Sequence, residues 1–383
     1  MKQDMISYLS TCKEDICKLN KYLFDNPEDS YNEHKSCEYI TNFLKKYDFN
    51  IETNYLDLKT SFYASKGNGH PKVCFLCEYD AVPGEGHLTG HNLLTSTSIA
   101  AALSLGKIIE KCGGTVIIIG CPGEYLGGTK SVMVKQGVFD DIDVVLLAHP
   151  DIITSESGSS SAIIPLNIKF IGNSGLSFLN KGSYTSLDGI LLTFNILNSL
   201  LKGFPEDIEI NSILSQGGFT PLLMPLESEA KFYIRAKDMD LARLAESKLR
   251  EIAIYVSKLI RVQYSISLYE PENEELLTNR TLNRLFSHNL KENGIINING
   301  PRDVYSGLSL GVVSKKLPCI HPYISIVDNP NIKYGTKEFA SATISDFAMD
   351  QCIKAALSLA FTGYDIILNS NLLSEVKEEF FKK

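Results

Sequence analysis

Acidic and imidazole side chains stand in three short segments of this chain, each directly after an apolar run. Glu78, Asp80, His87 and His91 fall in EYDAVPGEGHLTGHN (78–92), Glu124 in CPGEYLGGTK (121–130) and His149 in LLAHP (146–150). Carboxylates and imidazoles brought to one place hold divalent metal ions or move protons. His91 and His149 with Glu124 make a two-histidine, one-carboxylate set, which can hold a single ion with open positions. Using Glu124 as a ligand would remove it as a general base. The plainer reading is that these histidines are satisfied groups of the interior.

Other chemistries are less well supported. Ser157-Gly158-Ser159 lacks the strained strand-to-helix elbow of a nucleophilic serine and reads as a linker. Gly123, Gly127 and Gly128 with Lys130 lack the lysine-serine ending of a phosphate loop, and read as room for a strand-to-helix turn. Cys74 and Cys77 form a C-x-x-C, but residues three apart in a strand face opposite sides, and no second pair exists. His321-Pro322-Tyr323 reads as structural support.

The elements that must position these groups follow from the apolar pattern. Runs at 73–77, 115–120 and 144–148 read as buried parallel strands, with a helix predicted over 97–112 between the first two. Glu78, Asp80, Glu124 and His149 then stand at the carboxyl edge of one sheet, where ligands bind in open α/β folds. After the Ser/Gly-rich stretch 154–161, the order becomes strand (163–171), helix (187–201), strand (208–214), strand (230–235), helix (241–259), strand (263–268). That is the ferredoxin-like β-α-β-β-α-β order. Beyond Pro271 the α/β pattern resumes, with a helix near 276–293, a strand near 319–326 and a helix near 345–361.

At 383 residues the chain is long enough for two domains. Its 37 basic and 45 acidic residues give a net charge of −8, without long like-charge runs, which argues against nucleic acid or an anionic membrane as partner. The N-terminal segment lacks the apolar core of a signal peptide, and no membrane-length apolar stretch follows. Nine cysteines at irregular spacing fit free thiols in a reducing compartment. A soluble cytoplasmic protein is expected.

These strings, together with QGVFDDIDVVLLAHP (136–150), resemble the aminoacylase/carboxypeptidase-like amidohydrolases of peptidase family M20. The resemblance is to the subgroup of aminobenzoyl-glutamate hydrolases and dipeptidases, and it runs from NPEDSYNEH (26–34) to GTKEFASAT (335–343). It implies a zinc-exopeptidase-like α/β/α domain over 1–161 and 272–383, with a ferredoxin-like α+β lid and dimerisation domain inserted over 162–271. It also implies a two-metal site of zinc or manganese that activates water against an amide carbonyl.

Carried over position by position, the resemblance is mixed. His91 and His149 match ligands and Glu124 matches the general base. Thr89 stands where the family has a ligand cysteine, Tyr125 where it has a ligand glutamate, and Gly335 where it has the last ligand histidine. In the inserted domain, Leu176 replaces the carbonyl-polarising histidine and Leu222 the carboxylate-binding asparagine; Arg235 is the surviving candidate partner for a substrate carboxylate. A threonine hydroxyl is not ionised near neutral pH, a tyrosine ligates only as phenolate, and glycine offers nothing.

The expectation is therefore an amidohydrolase/dipeptidase-family protein with a degraded two-metal site, without dinuclear hydrolysis, holding no metal or a single zinc or manganese ion. The alternative is a divergent single-metal hydrolase of a small amide, dipeptide or N-acyl amino acid. A small-molecule ligand in an inter-domain cleft and a homodimer formed through the inserted domain are the expected partners.

Overall fold

The computed structural model describes residues 1–382. They divide into two compact units: 1–159, 276–304 and 312–382 form the larger, and 160–275 with 305–311 the smaller.

In the larger unit a six-stranded sheet runs in the order Asn50–Thr53, Phe62–Asn68, Gly114–Gly120, Lys72–Cys77, Val144–Leu146, Cys319–Ile320. The last four strands are mutually parallel. Their continuous apolar runs suit strands covered on both faces, and Val73, Phe75, Val116, Ile118, Val144 and Leu146 are fully buried. The polar groups that follow Cys77, Gly120 and Leu146 therefore stand along one rim.

The helix expected over 97–112 instead spans His91–Gly106, followed by a short turn of helix at Ile109–Cys112. All sixteen residues of His91–Gly106 are buried, so no polar face marks its beginning. Ser96 and Thr97 satisfy their hydroxyls by donating to the carbonyls of Asn92 (2.8 Å) and Leu93 (2.8 Å), which lets hydroxyl residues sit inside a helix. Gly90 precedes it at φ 84°, and a Cβ there would lie 3.2 Å from the Pro150 side chain. Glycine is thus required both for the turn and for the approach of the His149–Pro150 segment.

The run 144–148 also divides. Val144–Leu146 ends in the main sheet, and His149–Asp151 begins a second one, ordered Asn299–Val304, Ser155–Ser160, Tyr323–Ser325, His149–Asp151. Ser155–Ser160 is thus a strand and not the linker that its composition suggests. Its small residues are demanded by close packing: a Cβ on Gly158 would lie 2.4 Å from the Arg302 backbone. Ser157 donates its N–H to Asn283 (3.1 Å) and accepts from the His321 N–H (2.9 Å).

The smaller unit is a four-stranded antiparallel sheet ordered Ile208–Gln216, Glu227–Ala236, Ala162–Ile171, Gln263–Leu268. Helices Ser186–Leu200 and Met239–Ile260 pack on it. Residues of Glu227–Ala236 alternate strictly between half-buried and buried, as a sheet with one covered face requires. This is the ferredoxin-like order expected. Segment 305–311 joins the same unit, where Gly307 packs on Ile163; nothing in its pattern announces that.

Candidate metal and acid–base site

Glu78 and Asp80 directly follow strand Lys72–Cys77, and His91 opens the central helix. Glu124 sits on a single helical turn, Glu124–Leu126, held between the left-handed glycines Gly123 and Gly127. Lys130 begins the short helix Lys130–Lys135, and His149 begins the second sheet. Glu78, Asp80, His91 and His149 are all buried, and Lys130 is fully so.

The charged groups alternate in sign. Asp80 Oδ1 accepts from His91 Nδ1 at 2.8 Å, while His91 Nε2 lies 3.7 Å from Glu78 Oε2. Lys130 Nζ donates to Glu78 Oε1 at 2.6 Å and to Glu124 Oε2 at 2.8 Å. Asp80 Oδ2 is held by the Ser30 hydroxyl (2.7 Å) and the Tyr125 N–H (2.9 Å). Burial alone would push the Glu78 carboxyl up, but Lys130 and then His91 outweigh it and hold it below the usual range. Burial likewise opposes charge on His91. The hydrogen bond and charge of Asp80, then Glu78 and Glu124, overcome it and lift the imidazole to about 9. Lys130 is raised by Glu124 and Glu78 against its own desolvation.

The other side of His91 is aromatic. The Tyr125 ring stacks on it at 4.6 Å between centroids and 26° between planes. The Tyr125 and Thr89 hydroxyls hydrogen-bond to each other at 2.5 Å. Burial pushes the Tyr125 phenol well above its ordinary value, so it stays protonated. His149 donates Nδ1–H to the Pro150 carbonyl at 2.8 Å and lies 6.0 Å from His91, ring to ring. His321 stacks on it at 5.3 Å and Tyr334 lies 6.3 Å away. Burial and the charge of His91 keep His149 below the ordinary histidine value, and burial lowers His321 to about 3.

Ligand atoms of Glu78, His91 and His149 lie within 4.8 Å of one another, a group that can hold a metal ion. Both histidines are anchored through Nδ1, which leaves Nε2 for coordination, the usual arrangement of metal-bound imidazole. The donor set fits one ion of zinc or manganese type, provided that His91 gives up its proton. Glu124, matched to the general base and considered as a third ligand, is not in this group; it shares the Lys130 ammonium with Glu78. Gly335 is exposed, with φ 76° and no atom within 4 Å of a notional Cβ. His87 is turned away, donating Nε2–H to the Leu23 carbonyl at 3.0 Å, and burial lowers it to about 4.

Three participants were missed or underrated in the sequence. Glu78 shares the strand-end turn with Asp80, so its place on the rim was visible but its partnership with His91 was not. Lys130 looked like weak evidence for phosphate; a lysine six residues beyond Glu124 across a glycine turn was the available sign. Glu33 accepts from the N–H groups of Gly123 (2.8 Å) and Tyr31 (2.9 Å) and from Thr60 (2.8 Å), and so fixes the loop that carries Glu124.

Leu176, Leu222 and Arg235 belong to the smaller unit. Leu176 pairs with Leu223 in a two-residue ladder, and Leu222 is 53 % exposed. Arg235 donates to Asn211 at 2.8 Å and lies 3.7 Å from Glu209. All nine cysteines are free, and burial pushes the Cys121 thiol up to about 12, as inert interior thiols require. Among the described residues no helix is long and apolar enough to cross a membrane.

No family model matches the chain. It is similar to an Xaa-Arg dipeptidase of Mus musculus, with 28% identity over 99% of this chain and 92% of that protein. One of the subunits of p-aminobenzoyl-glutamate hydrolase from Escherichia coli (strain K12) is 26% identical over 93% of this chain and 90% of its own length. Among solved structures, an aminohydrolase from methicillin-resistant Staphylococcus aureus superposes with a TM-score of 0.73 at 16% identity, covering 95% of this chain and 100% of that one. A dinuclear metal-binding peptidase from Bacillus subtilis gives 0.63 at 15% identity, over 92% and 99%.

Proposed function

Taking as premise that the chain belongs by homology to the M20-type amidohydrolases and dipeptidases, we propose that it has lost the family's dinuclear hydrolysis and carries a degraded metal site. The observation that carries this reading is the Thr89–Tyr125 hydrogen bond, with the Tyr125 ring stacked on His91. Two positions that the resemblance assigns to anionic ligands are here satisfied by each other. Neither hydroxyl is ionised near neutral pH, so neither offsets the charge of a second cation. A two-metal clamp needs that charge.

The test is the metal content of protein purified with zinc or manganese supplied, followed by turnover of Xaa-Arg dipeptides, aminobenzoyl-glutamate and N-acyl amino acids. At most one ion per chain, and no turnover at the rates of dinuclear enzymes, is the expected result. Two ions per chain would overturn the proposal.

A second reading is favoured by the Nδ1 anchoring of His91 and His149 beside Glu78. Here those three residues hold one ion, and the protein hydrolyses a small amide or dipeptide. The ion would polarise a carbonyl or activate water. Glu124 would accept the proton from that water, held in place by its 2.8 Å hydrogen bond from Lys130. Turnover that a chelator abolishes and one equivalent of metal restores would select this reading; chelator-resistant inactivity would discard it.

We also propose that two copies pair through the smaller unit. Its edge strand Ile208–Gln216 has one open side, and Ile213 and Leu214 are 61 % and 46 % exposed. Mass measured in solution for the wild type and Ile213→Asp tests this; an unchanged monomer in both would end it.

A further inference from the structure

Lys130 is the unusual member of the site: a fully buried ammonium bound to Glu78, one of the three residues that fit a metal. Its Nζ lies 2.6 Å from Glu78 Oε1 and 2.8 Å from Glu124 Oε2. One oxygen of Glu78 is therefore held by a lysine, and the other faces His91 at 3.7 Å. A divalent ion on Glu78, His91 and His149 would bind the same carboxylate that the ammonium already neutralises. It would also sit near that ammonium, and like charges in a water-poor interior repel strongly.

We propose that Lys130 is a built-in cation that competes with divalent metal for Glu78 and so sets the metal occupancy of the Glu78–His91–His149 cluster. Lys130 is thus a positioning residue: it holds two carboxylates in place without an ion and makes the cluster a poor metal site while it is present. The inference deepens the proposed loss of the dinuclear centre and rests on that reading.

The test compares wild type with Lys130→Met, which keeps most of the unbranched side chain and removes its charge. The full chain is stripped with chelator and titrated with Zn2+ by calorimetry and with Mn2+ by loss of the free-ion electron paramagnetic resonance signal. Lys130→Met should bind one ion at least about tenfold more tightly than wild type, and metal should raise its unfolding temperature more than that of wild type. Adding Glu78→Gln to Lys130→Met should abolish the gain.

Because Lys130→Met takes the shared cation from both Glu78 and Glu124, Lys130→Met/Glu124→Gln serves as a second variant with one charge fewer, and the same gain is expected. Folded variants that bind no more tightly than wild type would overturn the inference. Two ions in the wild type would instead overturn the reading beneath it, so the two failures are distinguishable.

Discussion

Around His91, the Asp80–Glu78–Lys130–Glu124 side and the Tyr125–Thr89 side solve one problem differently. The first side buries charges and balances them by alternating sign, with separations of 2.6 to 3.7 Å between neighbours. The second excludes charge, filling the space with a stacked ring and closing two hydroxyls on each other. A buried charge network has value only while every member is present, because removing one partner strands another without water. A neutral hydrogen-bonded pair is worth far less and fails more gently. The site is therefore rigidly specified on its charged side and tolerant on its aromatic side, and that asymmetry can be broken by substitution.

The largest effect is expected at Lys130. In metal-free buffer near neutral pH, Lys130→Met should lower the unfolding free energy by about 3–5 kcal/mol, the usual penalty for halving a buried ion pair. Denaturant melts followed by circular dichroism measure it. A loss under about 1 kcal/mol, the range of exposed pairs, would mean that the charged side is not held together by its lysine.

This lysine also marks the limit of what was legible in the sequence. Continuous apolar runs such as Thr115 to Gly120 declare buried strands, and the alternation of Glu227–Ala236 declares a half-covered sheet, because each reflects a residue's own burial. Hence the two-part α/β and ferredoxin-like architecture and the rim carrying Glu78, Glu124 and His149 were readable. The start of the central helix was not, since buried serines and threonines that bond to their own backbone erase the helical period. Nor was the choice of Glu78 over Glu124 beside the histidines. Nor does the sequence show that Lys130, after the glycine turn at 127–128, reaches both carboxylates, in the case of Glu78 across 52 residues.

A smaller, pH-dependent effect should come from Glu33, which supports the Glu124 loop from behind. Burial lifts this carboxyl from 4.5 to about 7, against the pull of its hydrogen-bond donors and with help from the Asp80 charge. Between those values the folded chain keeps a proton that the unfolded chain has released. The contribution is thus fully present below about pH 4.5 and is lost as pH rises through about 7. Other carboxylates such as Glu78 and Asp143 are shifted downward and have the opposite slope, so the measurement is a difference. Wild type should lose about 3 kcal/mol relative to Glu33→Gln across this window. Parallel pH profiles of the two proteins would show that Glu33 is ionised throughout.

On the aromatic side the effects should be smallest and coupled. Thr89→Val removes one hydroxyl and leaves the Tyr125 phenol without this partner; Tyr125→Phe does the reverse. Each should cost about 1 kcal/mol, because both residues are only partly buried and water can reach the orphaned group. The double variant should cost little more than either single one, since two hydroxyls removed together strand nothing. A double-mutant cycle should return a coupling near 1 kcal/mol. Additive losses would mean that the hydroxyls serve other partners, and the view of Thr89 and Tyr125 as a mutually closed pair would fail. Coupling together with unchanged metal affinity in all three variants would sharpen the contrast further, because it would locate metal exclusion in the lysine and leave the tyrosine a packing role.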